Sequence, residues 1–84
     1  MRIFYSANFL RSFRKLPRDI QDEFRKREVI FRKAPFSPIL RTHKLKGRSD
    51  WAFLITYEIR VIFTFEKDVF RLLNIGDHSI YRKK

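Results

Sequence analysis

The chain has 84 residues, 44% hydrophobic and 17% aromatic with ten Phe, which is room for one compact domain over residues 1–84 and enough bulky apolar surface to give it a core. Twenty Lys and Arg against nine Asp and Glu give a formal charge of +11, a self-repulsion that a polyanion or an acidic partner relieves, so nucleic acid is the first partner to consider. Cysteine is absent, which excludes disulfides, thiolate metal sites and thiolate nucleophiles; with neither the apolar run of a secretory leader nor the roughly 20 apolar residues of a bilayer span, a soluble cytoplasmic protein without membrane attachment is expected.

Arg2 to Tyr5 reads as an opening strand. Ser6 is placed to cap a helix carrying Phe9, Leu10, Phe13 and Leu16 at near-helical spacing, and Pro17 ends it. A second helix starts among Asp19, Asp22 and Glu23 and finishes at Arg32 and Lys33, the charge order that a helix dipole favours, with Ile20, Phe24 and Phe31 along one side. So short a break predicts a helical hairpin whose outer faces carry Arg11, Arg14, Lys15, Arg25 and Lys26. Pro35 and Pro38 then force an extended connection.

Beyond it the period changes to two. Trp51 to Tyr57, Arg60 to Phe65 and Val69 to Ile75 read as strands, the last two joined by the polar turn Glu66-Lys67-Asp68, and Arg41 to Leu45 as a further strand. The order is β-α-α-β-β-β-β. Consecutive strands with short connections predict an α+β domain with the helical hairpin packed on a twisted antiparallel sheet.

The two glycines, Gly47 and Gly76, form no phosphate-binding loop, and His43 and His78 lack partners at metal-ligand spacing, so neither a nucleotide site nor a metal site is expected. Cleaving RNA requires less: a base for the ribose 2′-hydroxyl, cations on the phosphate, and an acid for the departing 5′-oxygen. Three segments hold suitable groups. In Arg41 to Arg48, alternation puts His43, Leu45 and Gly47 on one face and Lys44, Lys46 and Arg48 on the other, a pattern equally fit for a charged edge strand. Arg60 leads the apolar run Val61-Ile62-Phe63 and is either a phosphate ligand or a weak ion-pair partner of Glu58 or Glu66. Past Gly76, Asp77 to Arg82 gathers His78, Tyr81 and Arg82 at a strand end, where functional side chains are common.

Taken together, the basic helical hairpin, the H-x-L-K-G segment His43 to Gly47, the strand opening at Trp51, Arg60 before a hydrophobic strand, and I-G-x-H-x-x-Y-R from Ile75 to Arg82 resemble the RelE/ParE superfamily of toxins over essentially the whole chain, with the H-x-L-K-G segment most like the YafQ branch. The resemblance implies a microbial RNase-like fold and a ribosome-dependent, metal- and cofactor-independent mRNA endoribonuclease acting in the ribosomal A site by 2′-hydroxyl attack. It implies His43 as base, Lys46 in a basic loop, Arg60 on the phosphate, His78 as the terminal catalytic histidine and Tyr81 as a substrate-contacting aromatic, with Lys44, Arg48 and Arg82 holding substrate. It also implies an acidic antitoxin that wraps the basic surface, operator DNA being bound only through that antitoxin. The chain departs from the pattern at Ile59, where many relatives have an aromatic, in the three-residue step from His78 to Tyr81, where four is common, and in lacking the second histidine and the acidic residue of the YafQ branch. Two other readings accompany this one: a ParE-like inhibitor of DNA gyrase without catalytic residues, and a basic RNA-binding homologue without activity.

Overall fold

The computed structural model describes residues 1–81. Helices α1 (Ala7–Arg14) and α2 (Arg18–Lys33) cover one face of a five-stranded sheet made of β1 (Arg2–Tyr5), β2 (His43–Lys44), β3 (Trp51–Leu54), β4 (Arg60–Glu66) and β5 (Val69–Gly76). The α+β class and the element order are those the sequence implies. The sheet itself is mixed, which corrects the expectation of a purely antiparallel one: in the spatial order β1-β5-β4-β3-β2, strands β2 to β5 pair antiparallel but β1 runs parallel to β5, Ile3 opposite Phe70 and Tyr5 opposite Leu72. β4 takes only one edge of β5, and β1 satisfies the ladder groups of the other. Among the described residues no helix is long and apolar enough to cross a membrane.

Local chemistry sets the element ends. The Ser6 hydroxyl accepts from the Phe9 amide at 2.9 Å, capping α1, while donating to the Leu73 carbonyl at 2.9 Å, so the same residue starts the helix and fastens it to β5. At the other end of α1, the Gln21 side-chain amide donates to the carbonyls of Phe13 and Leu16 at 3.0 and 3.2 Å, tying the start of α2 to the end of α1. β3 stops at Leu54, three residues short of the expected strand end at Tyr57. There the Thr56 hydroxyl accepts from the amides of Glu58 and Ile59 at 3.2 and 3.0 Å, building from a threonine the tight turn for which the sequence offers neither Gly nor Asn. β2 likewise shrinks to His43–Lys44, because Arg41 adopts a left-handed backbone with φ 54° just before it.

Aromatic rings fill the space between helices and sheet. Phe31 is fully buried, 4.6 Å from Phe53 in a stacked pair and 5.1 and 5.5 Å edge-on from Phe63 and Phe70. Phe9 and Phe13 of α1 meet Phe24 of α2 at 5.5 and 5.3 Å, closing the helical hairpin. A smaller cluster lies apart from this core: Leu45, Ala52 and Ile62, covered in part by Leu73, Ile80 and Tyr81. A register shift beside Ile62 and Phe63 pairs them with Asn74 and Leu72, so Leu73 is the extra residue and packs on this second cluster.

One ionisable network ties β1 to α2. The Tyr5 hydroxyl donates to the Glu28 carboxylate and accepts from Arg32 Nη2 at 3.2 Å, and Arg32 pairs with Glu28 at 3.7 Å. Burial, then the hydrogen bond and charge of Glu28, raise the Tyr5 phenol above its ordinary 10.0, Arg32 opposing. The folded chain therefore favours the neutral phenol; the network's stabilisation is complete below the unfolded phenol's pKa and drains away as pH climbs through the raised folded value. Urea midpoints should accordingly fall as pH rises past about 10, with a shallower fall in Tyr5→Phe. Parallel slopes for the two proteins would remove Tyr5 from the alkaline transition.

Candidate active site

At the end of the sheet where β4 begins and β5 ends, a cleft of about 690 Å³ opens between the β3–β4 turn and the short 3₁₀ helix His78–Tyr81. Its walls carry the cations Arg41 and Arg60, the imidazole of His78 and the carboxyl groups of Glu58 and Asp77, with Tyr57 and Leu54 as flat apolar surface. β-sheet pairing explains the meeting: Leu54, Arg60 and Gly76 are register partners across three adjacent strands, so the turn after Leu54 and the 3₁₀ helix after Gly76 converge beside Arg60.

Arg60 is held from two directions. Nη2 donates to the Tyr57 carbonyl at 3.0 Å, and the guanidinium carbon stands 5.7 Å from the centroid of the Tyr81 ring. Its Nε is buried without a hydrogen-bond partner, and Arg60 makes no ion pair among the described residues, so neither Glu58 nor Glu66 takes its charge. A guanidinium without a close ion pair in a cleft keeps donors free for an anion. His78 is exposed and meets Tyr81 edge-on at 5.2 Å. The Asp77 carboxylate accepts from the Ser79 amide and hydroxyl at 2.9 and 2.7 Å, starting the 3₁₀ helix that presents the imidazole.

The remaining candidates stand elsewhere. His43 and Lys46 do not line the cleft. His43 is exposed on β2 opposite Ala52, and its Nδ1 donates to the Arg41 carbonyl at 2.9 Å, which leaves Nε2 as the nitrogen able to take a proton in the neutral ring. Lys46 is exposed in the turn between β2 and β3. Lys44 donates its ammonium to the Arg48 carbonyl, and the Arg48 guanidinium is engaged by Asp50 and the Tyr81 carbonyl, so the cations expected to hold substrate here are partnered within the fold. The Tyr81 hydroxyl is buried without a partner among the described residues. Arg82 lies outside the described residues.

Of the cleft residues, only Arg60 and His78 are candidates from the sequence. Arg41 is carried there by the turn after Pro38–Leu40. Tyr57 reads as the last residue of a strand and Glu58 as a pairing partner of Arg60, whereas the Thr56 turn presents both outward, Tyr57 90% exposed. The signal available was Glu58 two positions from Arg60, a carboxylate and a guanidinium at one strand end with nothing apolar between them but Ile59.

No protein-family model matches the sequence, and no curated protein is significantly similar to it. Solved structures are. YafQ from E. coli strain BL21(DE3) superposes with a TM-score of 0.80 at 12% identity, covering 99% of this chain and 100% of that one. A YoeB/ParE toxin from Agrobacterium tumefaciens gives 0.78 at 14% identity over 93% of this chain and 99% of the other. The toxin–antitoxin complex RelBE of E. coli gives 0.71 at 19% identity over 90% and 94%. The likeness spans the chain from end to end, and its fold is that of RelE- and YafQ-type toxins.

Proposed function

We propose that this chain, folded as RelE- and YafQ-type toxins are, is the toxin of a type II toxin–antitoxin pair and a ribosome-dependent mRNA endoribonuclease that works without a metal. The observation that carries the reading is the Arg60 guanidinium, free of any ion pair among the described residues, in one cleft with an imidazole, His78, and a carboxyl group, Glu58. The Glu58 carboxylate takes the 2′-hydroxyl proton as O2′ attacks phosphorus, Arg60 holds the non-bridging oxygens as charge builds on them, and the His78 imidazolium protonates O5′ as the P–O5′ bond breaks. The products are a 2′,3′-cyclic phosphate and a 5′-hydroxyl. His43 and Lys46, out on β2 and the turn after it, serve the RNA strand beyond the scissile linkage. An acidic antitoxin is the partner that offsets the +11 charge.

Primer extension on mRNA from cells expressing the chain tests this. Codon-aligned breaks are expected, with 5′ ends that accept ligation only after treatment by a polynucleotide kinase. A DNA-damage response without breaks would point instead to gyrase inhibition, and neither effect to simple RNA binding. Binding to ribosomes should weaken steeply with salt, because each neutralised phosphate releases counterions and gives a log–log slope of about −0.7 to −0.9 per contact; a salt-insensitive affinity would exclude the basic surface as the contact.

A further inference from the structure

Arg48 and Tyr81 do not line the cleft, yet the contacts they make lead to it. The Arg48 guanidinium lies fork-to-fork on Asp50, Nε to Oδ1 2.9 Å and Nη2 to Oδ2 2.7 Å, and its Nη1 reaches 33 residues along the chain to donate to the Tyr81 carbonyl at 3.3 Å. The Tyr81 ring packs on the Leu45–Ala52–Ile62 cluster and meets both Arg60, at 5.7 Å, and His78, at 5.2 Å. The helix packs closely on the end of β5: a Cβ on Gly76 would stand 2.7 Å from Ile80 Cγ2, so any other residue there would have to displace the Ile80 side chain.

We infer that Asp50, Arg48 and Tyr81 form a clamp that fixes the direction of Arg60 and His78, which makes Arg48 and Tyr81 positioning residues rather than contacts for RNA. The consequence for catalysis rests on the ribonuclease reading; the clamp itself does not. Two details decide the role of Tyr81. Its hydroxyl is buried with no partner among the described residues, so the group that could bond a phosphate is turned away from solvent and the ring is what acts. Arg60 Nε is buried as well, with no partner among the described residues, and a guanidinium seated on an aromatic face keeps its full charge for an anion. Arg48 suits its part because a planar fork bonds Asp50 through two nitrogens and still has a third for the carbonyl; a lysine ammonium cannot hold that geometry.

The test uses the full chain as wild type, Arg48→Lys, Tyr81→Leu, Tyr81→Phe and Arg60→Ala, with single-turnover cleavage of ribosome-bound mRNA and the Arg60 Nε–H signal in a nitrogen-15 spectrum. Tyr81→Leu and Arg48→Lys should each slow the cleavage step about tenfold at unchanged half-saturation, as expected of misplaced rather than missing contacts. Tyr81→Phe should restore the rate to within about twofold of wild type, and Tyr81→Leu should cost nothing further once Arg60 is Ala. A raised half-saturation point, or costs of Tyr81→Leu and Arg60→Ala that multiply, would overturn the clamp in favour of direct RNA contact. The spectrum decides independently of activity: the Arg60 signal should be slow to exchange in wild type and Tyr81→Phe and lost in Tyr81→Leu and Arg48→Lys. If the wild type cuts no RNA the ribonuclease reading fails, while a signal unmoved by Arg48→Lys refutes the clamp whether or not RNA is cut.

Discussion

Replacing Arg60 with Ala is expected to slow single-turnover cleavage of ribosome-bound mRNA by about 10²- to 10³-fold, the usual cost of removing one donor aimed at developing charge. The chain should stay folded, because Arg60 makes no ion pair among the described residues and its ring contact is worth about 0.5–2 kcal/mol. Arg60→Lys should recover little: with Nη2 committed to the Tyr57 carbonyl, the arginine still has Nη1 for a phosphate oxygen, whereas one ammonium cannot keep both positions. His78→Ala should show a loss of similar size, and the double variant little more than either, since groups that act on one bond fail together. Folded variants, verified by thermal melts, that cut at the wild-type rate would remove Arg60 and His78 from the chemistry.

The second large effect concerns stability. Phe31→Ala should lower the unfolding free energy by about 3–5 kcal/mol, through lost burial and an unfilled cavity. A domain of this length has about 4–12 kcal/mol in all, so most of the population can be lost to one substitution. Phe31 is 0% exposed and touches rings on β3, β4 and β5, which cannot collapse into the void without distorting the sheet. Phe36→Ala, at a 48% exposed ring beside Trp51, is the matched comparison and should cost no more than about 1 kcal/mol. Urea denaturation measures both; equal midpoints for the two variants would contradict the placement of Phe31 at the centre of the core.

How much of this was legible in the sequence alone can be traced residue by residue. Helix limits were, because Ser6, Pro17 and the two prolines after Ala34 act locally and their chemistry does not depend on what packs nearby. Alternation over Arg41 to Arg48 did not carry over, because β2 keeps only His43 and Lys44, both exposed, while Leu45 is buried beyond the strand. The parallel β1 was not legible either: Arg2 to Tyr5 meets Val69 to Leu72 only through the whole intervening chain, and an apolar four-residue strand carries no mark of its partner's direction. Glu58 was missed because Thr56 makes a turn with a hydroxyl rather than with backbone freedom, which hides the end of β3 inside an alternating pattern. Arg48 was misread because a cation's partner two residues away and another in a distant 3₁₀ helix leave no pattern in composition. Arg60 and His78 stood out by being polar at the ends of apolar strands, and the pairing of β4 with β5 brings those ends together.

The parallel pairing of β1 with β5 also sets an order of events during synthesis. Ile3 and Tyr5 emerge long before Phe70 and Leu72 and have no ladder partner until those are made, so β1 joins the sheet last. The same late segment brings His78 and the ring that steadies Arg60. A chain made only as far as β4 therefore lacks both the strand pair that closes the sheet and the His78 wall of the cleft.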